Sequence, residues 1–495
     1  MNYYLGLDIG SSSIKAALVE VESGKSLGVV QEPKEEMGMF AAKNGWAEQS
    51  PNEWWKHICA AIAELKKKFN VSKTQIKGIG ISYQMHGLVV VDNAGNPLRK
   101  SIIWCDSRAV EIGNKAFADI GEHGCASKLL NSPANFTASK LKWVKDNEPD
   151  VFNKIHKFML PGDFIAYKFS NQINTTISGL SEGIFWDFEN DNTADFLLQH
   201  YGIDKALVPD IVETFGIQST VDENGEAESG IAAGTPILYR AGDQPNNALS
   251  LNVFNPGEVA ATGGTSGVVY AVTNSLSAKE SSRVNNFAHV NYQKGADPRI
   301  GKLLCVNGAG IQYRWLLNNL AVSSYEDMNN LASDIPVGSG GVCLIPFGNG
   351  AERMLNNKEI GTRIVNMNLN NHHKGHLCRA ALEGIAFSFV YGMEIMTSDG
   401  IKPTVMRAGN DNLFRSEIFA NTVATLIGQE IEIYNTTGAI GAARAANLHK
   451  GNFEAFGKVI MDNDHVMTFK PLKDKTSYLE AYNNWKKELE LILNT

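Results

Sequence analysis

At 495 residues the chain is long for a single hydrophobic core, which predicts two domains. Its 43% apolar and 20% charged residues are those of an ordinary globular protein. A net charge of -8 argues against a general nucleic-acid binder, which carries a basic surplus.

The first predicted elements form a β-meander: strand 3–8, a turn at 9–13, strand 14–21, a turn at 22–25 and strand 26–31. Asp8 closes the first strand. The N–H and hydroxyl groups of Gly10, Ser11 and Ser12 suit phosphate oxygens. Alone, this stretch reads equally as a plain tight turn. Residues 258–272 repeat the design about half a chain later, with Thr262-Gly263-Gly264-Thr265-Ser266-Gly267 as the hairpin. That is an internal duplication at domain scale. Two such hairpins facing each other across a cleft would hold a polyphosphate between two domains.

Between the copies, 51–66 predicts a helix capped by Ser50, with Pro51 in its first turn and Trp55, Ile58, Ile62 and Leu65 on one face. A buried strand, 76–82, ends in Tyr83-Gln84-Met85-His86-Gly87. These groups suit sugar hydroxyls, although a lone histidine at such a place is more often structural. Strand 101–104 ends in Cys105-Asp106-Ser107-Arg108, where Asp-x-Arg at a helix start is ordinarily a cap with an ion pair. Residues 108–210 are richer in helix and loop, with helices expected at 107–120, 137–147 and 162–169 and a strand-like or irregular stretch at 174–187. This region reads as a lid on the substrate side.

The run 235–239 then delivers Ala241-Gly242-Asp243-Gln244-Pro245, followed by a helix-compatible segment, 246–253. Ligands of α/β sheets bind at the carboxyl ends of strands. A carboxylate there, close to a glycine-rich hairpin, is what phosphoryl transfer needs, so Asp243 is the candidate general base. Further on, Gly308 and Gln312 precede a helix at 313–320, and 377–393 and 413–427 predict helices. Strand 404–408 ends in Gly409 and Asn410, a sequence suited to a nucleoside pocket. The run 437–446 is a small-residue helix that lets backbones pack closely, and Gly441 belongs to that packing. Six scattered cysteines without a CxxC pair suit free thiols in a reducing compartment. With no signal sequence and no span-length apolar run, the expectation is a cytoplasmic protein with neither membrane nor nucleic-acid partners.

As an ordered set, several motifs resemble the FGGY carbohydrate kinases nearly end to end, and among them the xylulokinases most closely. They are Leu7-Asp8-Ile9-Gly10-Ser11-Ser12, Gly45-Trp46-Ala47-Glu48-Gln49, Gln84-Met85-His86-Gly87, Trp104-Cys105-Asp106-Ser107-Arg108, Leu160-Pro161-Gly162-Asp163, Ala241-Gly242-Asp243, 262–266 and 438–444. The resemblance implies an α/β fold of two actin-like ATPase domains, each on a ribonuclease-H-like unit, with an ATP/sugar cleft between them. Residues 1–245 would bind sugar and carry the insertion at 108–210, and 246–495 would bind ATP.

By the same resemblance, Met85, His86 and Asp243 would contact D-xylulose, with Trp104, Arg108 and Gln244 nearby. Asp8, through water, and Asp243 would hold Mg²⁺. Gly10, Ser11, Ser12, Thr265 and Ser266 would face the phosphates, while Gly308, Gln312, Gly409 and Asn410 would line the nucleotide site. A homodimer is the family expectation. Three departures stand out: Gln244 where xylulokinases usually have Asn, Ala351-Glu352-Arg353-Met354-Leu355 without the family's Thr-Pro, and a glycine triplet reduced to Ala408-Gly409-Asn410. A kinase for ribulose, glycerol or gluconate, or a silent sugar-binding member, stays open. Gln84-Met85-His86-Gly87 argues against glycerol, whereas Gln244 argues for it.

Overall fold

The computed structural model describes residues 1–494. Its first sheet has six strands in the order Phe215–Thr220, Pro236–Gly242, Ile76–Tyr83, Tyr3–Ile9, Ile14–Glu20 and Ser26–Glu32. Tyr3–Ile9 pairs antiparallel with Ile14–Glu20 and parallel with Ile76–Tyr83, which in turn pairs parallel with Pro236–Gly242. The second sheet runs Asn285–Ala288, Ile300–Val306, Gly267–Thr273, Glu258–Gly263, Val405–Gly409, Ile431–Tyr434 and His465–Phe469. Without the edge strand Asn285–Ala288 the two orders correspond: a meander, two further parallel strands, then an antiparallel edge. The repeated hairpin read from the sequence occupies the same place in both halves.

Tyr3–Ile9 is covered on both faces, so it reads as a nearly unbroken apolar run. On one face lies the helix Pro51–Phe69, burying Trp54, Ile58, Ala61, Ile62 and Leu65. Asn70, in the left-handed region at φ 52, ends it. The other face is shaped by two missing side chains. Gly6 and Gly80 are register partners on adjacent strands. A Cβ at Gly6 would run into the Ala439 carbonyl oxygen, and one at Gly80 into that of Ala442.

The helix Gly438–Ala445, which follows the last parallel strand of the second sheet, therefore lies backbone to backbone on the first sheet, with 439–445 buried. It also crosses the helix Asp243–Ser250: Gly441 abuts Ser250, and the Asn246 amide donates to the Gly438 carbonyl at 3.0 Å. Asp243–Ser250 in turn touches the strands Glu258–Gly263 and Gly267–Thr273 of the second sheet. The small residues of 437–446 thus close the junction between the two halves.

The helix Thr137–Asn147 spans the expected residues. The stretch expected as strand-like or irregular at 174–187 is a short strand, Asn174–Thr176, and a helix, Ile177–Glu182. The Thr176 side chain caps that helix by accepting from the Gly179 N–H. The helix expected at 413–427 is split at Ser416, which is extended, into a 3₁₀ turn and the helix Glu417–Ile427. The position between 245 and 246 falls inside the helix Asp243–Ser250. No helix among the described residues is long and apolar enough to cross a membrane.

Gly80→Ala places a methyl group against the Ala442 carbonyl. It is expected to destabilise the protein by about 1–3 kcal/mol, as overpacking does. Thermal unfolding checks this, and an unchanged midpoint would show that the junction yields without cost.

Candidate active site

Asp8 and Asp243 stand at the carboxyl ends of two parallel-running strands with Ile76–Tyr83 between them. Asp8 is in register with Ser82, and Gly242 with Tyr83. The Ser82 hydroxyl donates to Asp8 Oδ1 at 2.9 Å. Gly438, first residue of its helix, is a glycine because a side chain there would press on the Asp8 carboxylate, 2.7 Å from the position of a Cβ. Asp243 opens its own helix and accepts from both the backbone and the side chain of Gln244. Burial, and then the negative charge of Asp8, nonetheless push Asp243 up to about 7. Burial also raises Asp8, against the opposing pull of Lys15. Two half-buried carboxylates near enough to repel are a costly arrangement, of the kind concentrated at functional sites.

His86, adopting φ 63, sits at the neighbouring strand end. Its Nδ1–H donates to the Glu182 carbonyl at 2.9 Å, and its ring packs against Phe136 and Phe287. Burial, then the Lys140 ammonium, bring it down to about 3, so the imidazole is neutral and Nε2 is a hydrogen-bond acceptor. Met85 is buried against Gly242, as is the carboxyl of Glu182. Glu182 is raised well above the usual carboxylate range by burial and then by Asp243 and Asp163, and the Tyr83 hydroxyl faces it. Trp104 is 54% exposed, and its indole N–H donates to Ser11 Oγ at 3.3 Å. That contact joins the sugar-side loop to the first hairpin.

Arg108 does not join this group. Its side chain is fully buried. The guanidinium pairs with Asp106 at 2.7 Å and with Glu48 at 2.7 Å, and lies over the Trp46 ring at 3.8 Å. Nε and Nη2 donate to the Asp106 carboxylate and Nη1 lies 2.7 Å from Glu48, so the guanidinium is committed to these two acids. The ion pair read from Asp-x-Arg is there, but the cap is not: the helix begins at Val110 with Ala109 before it, and Asp106 Oδ1 instead accepts the Arg108 N–H at 2.9 Å. Asp163 is engaged in the same way, by Arg240 at 2.9 Å, inside the strand that delivers Asp243.

On the opposite side, Thr265 and Ser266 are exposed at the tip of the second hairpin, as Ser12 is on the first. Gly10 closes its turn by donating to the Ser13 carbonyl at 3.0 Å. Gly263, Gly264 and Thr265 line a cavity of about 680 Å³ together with Gly310 and the paired rings of Tyr313 and Tyr325, stacked at 5.7 Å. Gly308, Gln312, Gly409 and Asn410 stand outside that lining. Gly308 packs against the Pro346 carbonyl and donates to Glu352 at 2.8 Å, and Gln312 accepts from the Thr362 hydroxyl at 2.6 Å. Gly409 ends its strand, and the Asn410 N–H donates to the Tyr434 carbonyl at 2.8 Å.

Sequence reasoning missed Glu182, Lys15 and the tyrosine pair. Lys15 acts on both Asp8 and Asp411 and so bridges the two halves electrostatically. Its only signal is a cation directly after a Gly/Ser turn. The donor set fits Mg²⁺: hard carboxylate oxygens on Asp8 and Asp243, and among the described residues no cluster of three or more protein ligands. Mg²⁺ keeps several waters and is commonly held by one or two carboxylates plus substrate phosphates.

The profile of the FGGY family of carbohydrate kinases matches over 3–250 for its N-terminal domain and 259–449 for its C-terminal domain. A xylulose kinase of Bacillus subtilis is 28% identical over 469 residues, covering 92% of this chain and 90% of that protein. The crystal structure of a xylulose kinase from Rhodospirillum rubrum superposes with a TM-score of 0.88 at 22% identity, covering 100% of both chains. A glycerol kinase of Plasmodium falciparum with ADP superposes with a TM-score of 0.87 at 20% identity, covering 100% of this chain and 98% of that one. At these identities the solved structures establish the fold and leave the acceptor undecided.

Arg108→Met removes the cation from a buried pair. It is expected to cost about 3–5 kcal/mol of stability, since Asp106 is left uncompensated. Denaturant unfolding reads this. Wild-type stability combined with a raised sugar KM would instead place Arg108 at the substrate.

Proposed function

Because the chain belongs to the FGGY family of carbohydrate kinases, we propose that it transfers the γ-phosphoryl group of ATP to the 5-hydroxyl of D-xylulose. The observation that carries this reading is the half-buried Asp243 at a strand end, held up to about 7 by burial and by Asp8. A base with a pKa near the working pH is the efficient choice for taking a hydroxyl proton. Two relatives that each cover more than nine-tenths of the chain, from Bacillus subtilis and Escherichia coli, are named xylulose kinases, which supports the choice of sugar.

In this reading the sugar lies over the strand ends at Met85, His86 and Asp243, with Trp104 at its rim. His86 Nε2 accepts from one hydroxyl. Asp243 orients the reacting hydroxyl and takes its proton as the new P–O bond forms and the bond to ADP breaks. The Gly10–Ser12 and Thr265–Ser266 hairpins donate to phosphate oxygens, and Lys15 adds positive charge between the halves. The cavity beside Tyr313 and Tyr325 takes the nucleoside. Mg²⁺, near Asp8 and Asp243, supplies charge compensation for the phosphates when bound.

A second reading, a kinase for another ketose or a polyol, rests on Gln244. That residue spends its side chain on Asp243, which makes it a support of the base more than a reader of the sugar.

Three measurements test the proposal. An ADP-release assay over D-xylulose, ribulose, glycerol and gluconate is expected to favour D-xylulose, and equal or greater turnover of another acceptor would move the assignment to that compound. Asp243→Ala is expected to lose roughly 10²–10⁴ of kcat while keeping its fold, the usual worth of a general base. The same variant turning over at the wild-type rate would sink the assignment of the base. The base must be ionised, so kcat/KM should fall as pH drops below about 7. A profile flat from pH 8 to pH 5 would exclude Asp243 from that role.

A further inference from the structure

Lys140 lies in the interior of the helix Thr137–Asn147, with no exposed surface. A buried ammonium needs a reason, because removal from water disfavours its charge. Its hydrogen bonds run to two main-chain carbonyls, that of His86 at 2.9 Å and that of Ile103 at 3.0 Å. Those carbonyls belong to two different strand ends of the candidate sugar site. One precedes the turn at Gly87. The other immediately precedes Trp104. Burial, opposed by the nearby Asp106, brings the amine down to about 7.

The two loops also meet in a β-bridge, where the Leu88 N–H donates to the Ile102 carbonyl at 3.0 Å; Lys140 ties a flanking residue of each loop. His86 sits in the left-handed region at φ 63, a conformation that costs a residue with a side chain and persists only where its surroundings enforce it. Its ring is fixed at Nδ1 by the Glu182 carbonyl. Trp104 reaches over to Ser11 of the first hairpin. One cation beneath both therefore adds, beyond that bridge, a tie at His86 and Ile103 themselves, between the group that would accept a sugar hydroxyl and the aromatic rim. We propose that Lys140 is a positioning residue for sugar binding, an ammonium tie that fixes His86 and Trp104 relative to each other without touching the substrate. This rests on the sugar site proposed above.

The test compares wild type with Lys140→Met, which has a similar length and no donor. Calorimetric titration with D-xylulose and, separately, with ADP gives the readout. With the His86 carbonyl left without its lysine donor and that of Ile103 left with only the Asp106 N–H at 3.2 Å, D-xylulose should weaken by roughly tenfold or more, with ADP affinity within about twofold, since the cavity beside Tyr313 is built from other elements. In turnover the same split appears as a raised KM for sugar with an unchanged KM for ATP.

Equal loss of both affinities, or neither, overturns the positioning role. Where Lys140→Met does not fold, Lys140→Gln keeps a donor able to serve one carbonyl. It should show the same split at smaller magnitude, and a Lys140→Gln protein with wild-type affinities for both ligands overturns the proposal. A wild-type protein that neither binds nor phosphorylates D-xylulose counts against the xylulose reading alone. The comparison is then run with whichever ketose or polyol of the panel the wild type turns over.

Discussion

The rest of the structure depends on a steric constraint: two glycines, side by side on adjacent strands, that admit a helix from the other half of the chain. Gly6 and Gly80 let Gly438–Ala445 approach so closely that its carbonyls occupy the space of side chains. The helix meets this demand with a sequence of almost nothing but Gly and Ala. Dispersion between closely packed backbones falls off steeply with distance, so this contact holds only as long as both surfaces stay bare. Its amino end is also what brings Gly438 against Asp8. The active-site carboxylate and the junction of the halves are two ends of one eight-residue helix.

Buried charge is used in two ways around that junction. Arg108 with Asp106, Arg240 with Asp163 and Arg444 with Asp464 are neutralised pairs that hold loops and strand ends in place. Asp243 faces a second carboxylate where these others face a cation, and its partners from the protein are the amide groups of Gln244. The contrast is informative because isolated like charges are expensive. Where the paired carboxylates are held by cations, Asp243 shares its surroundings with the unpaired Glu182 and with Asp8, a concentration of uncompensated acid at one strand end.

Much of this was legible in the sequence wherever the signal is local. The two Gly/Ser/Thr hairpins, the polar strand ends at Gln84–Gly87 and 104–108, and the small-residue run at 437–446 are all short-range patterns. Each is found where a periodicity of two, or a cluster of turn residues, places it. What escaped depends on side-chain direction or on residues far apart in the chain. Arg108 is a candidate only through the resemblance of the 104–108 motif, and its guanidinium turns inward to Glu48, which no local pattern encodes. Glu182 sits in a stretch read as irregular, since Thr176 caps a helix too short to show a period. Lys140 lies on a correctly expected helix, yet nothing in its spacing says that its ammonium ends under His86. The tyrosines at 313 and 325 form one wall only after two helices fold together.

The crossing of Gly438–Ala445 and Asp243–Ser250 stands where an axis between the two sheets would run. Any rotation of one sheet against the other displaces an atom in proportion to its distance from that axis. Asp8 and Asp243 lie next to it, Gly438 against the one and Gly242 before the other, so their lever arms are short. Ser12 and Ser266 sit exposed on the far tips of their hairpins, where the arc is longest. Asp8 and Asp243 stand at strand ends of one sheet, so a rotation of the two sheets would leave their mutual geometry intact while changing the gap between Ser12 and Ser266.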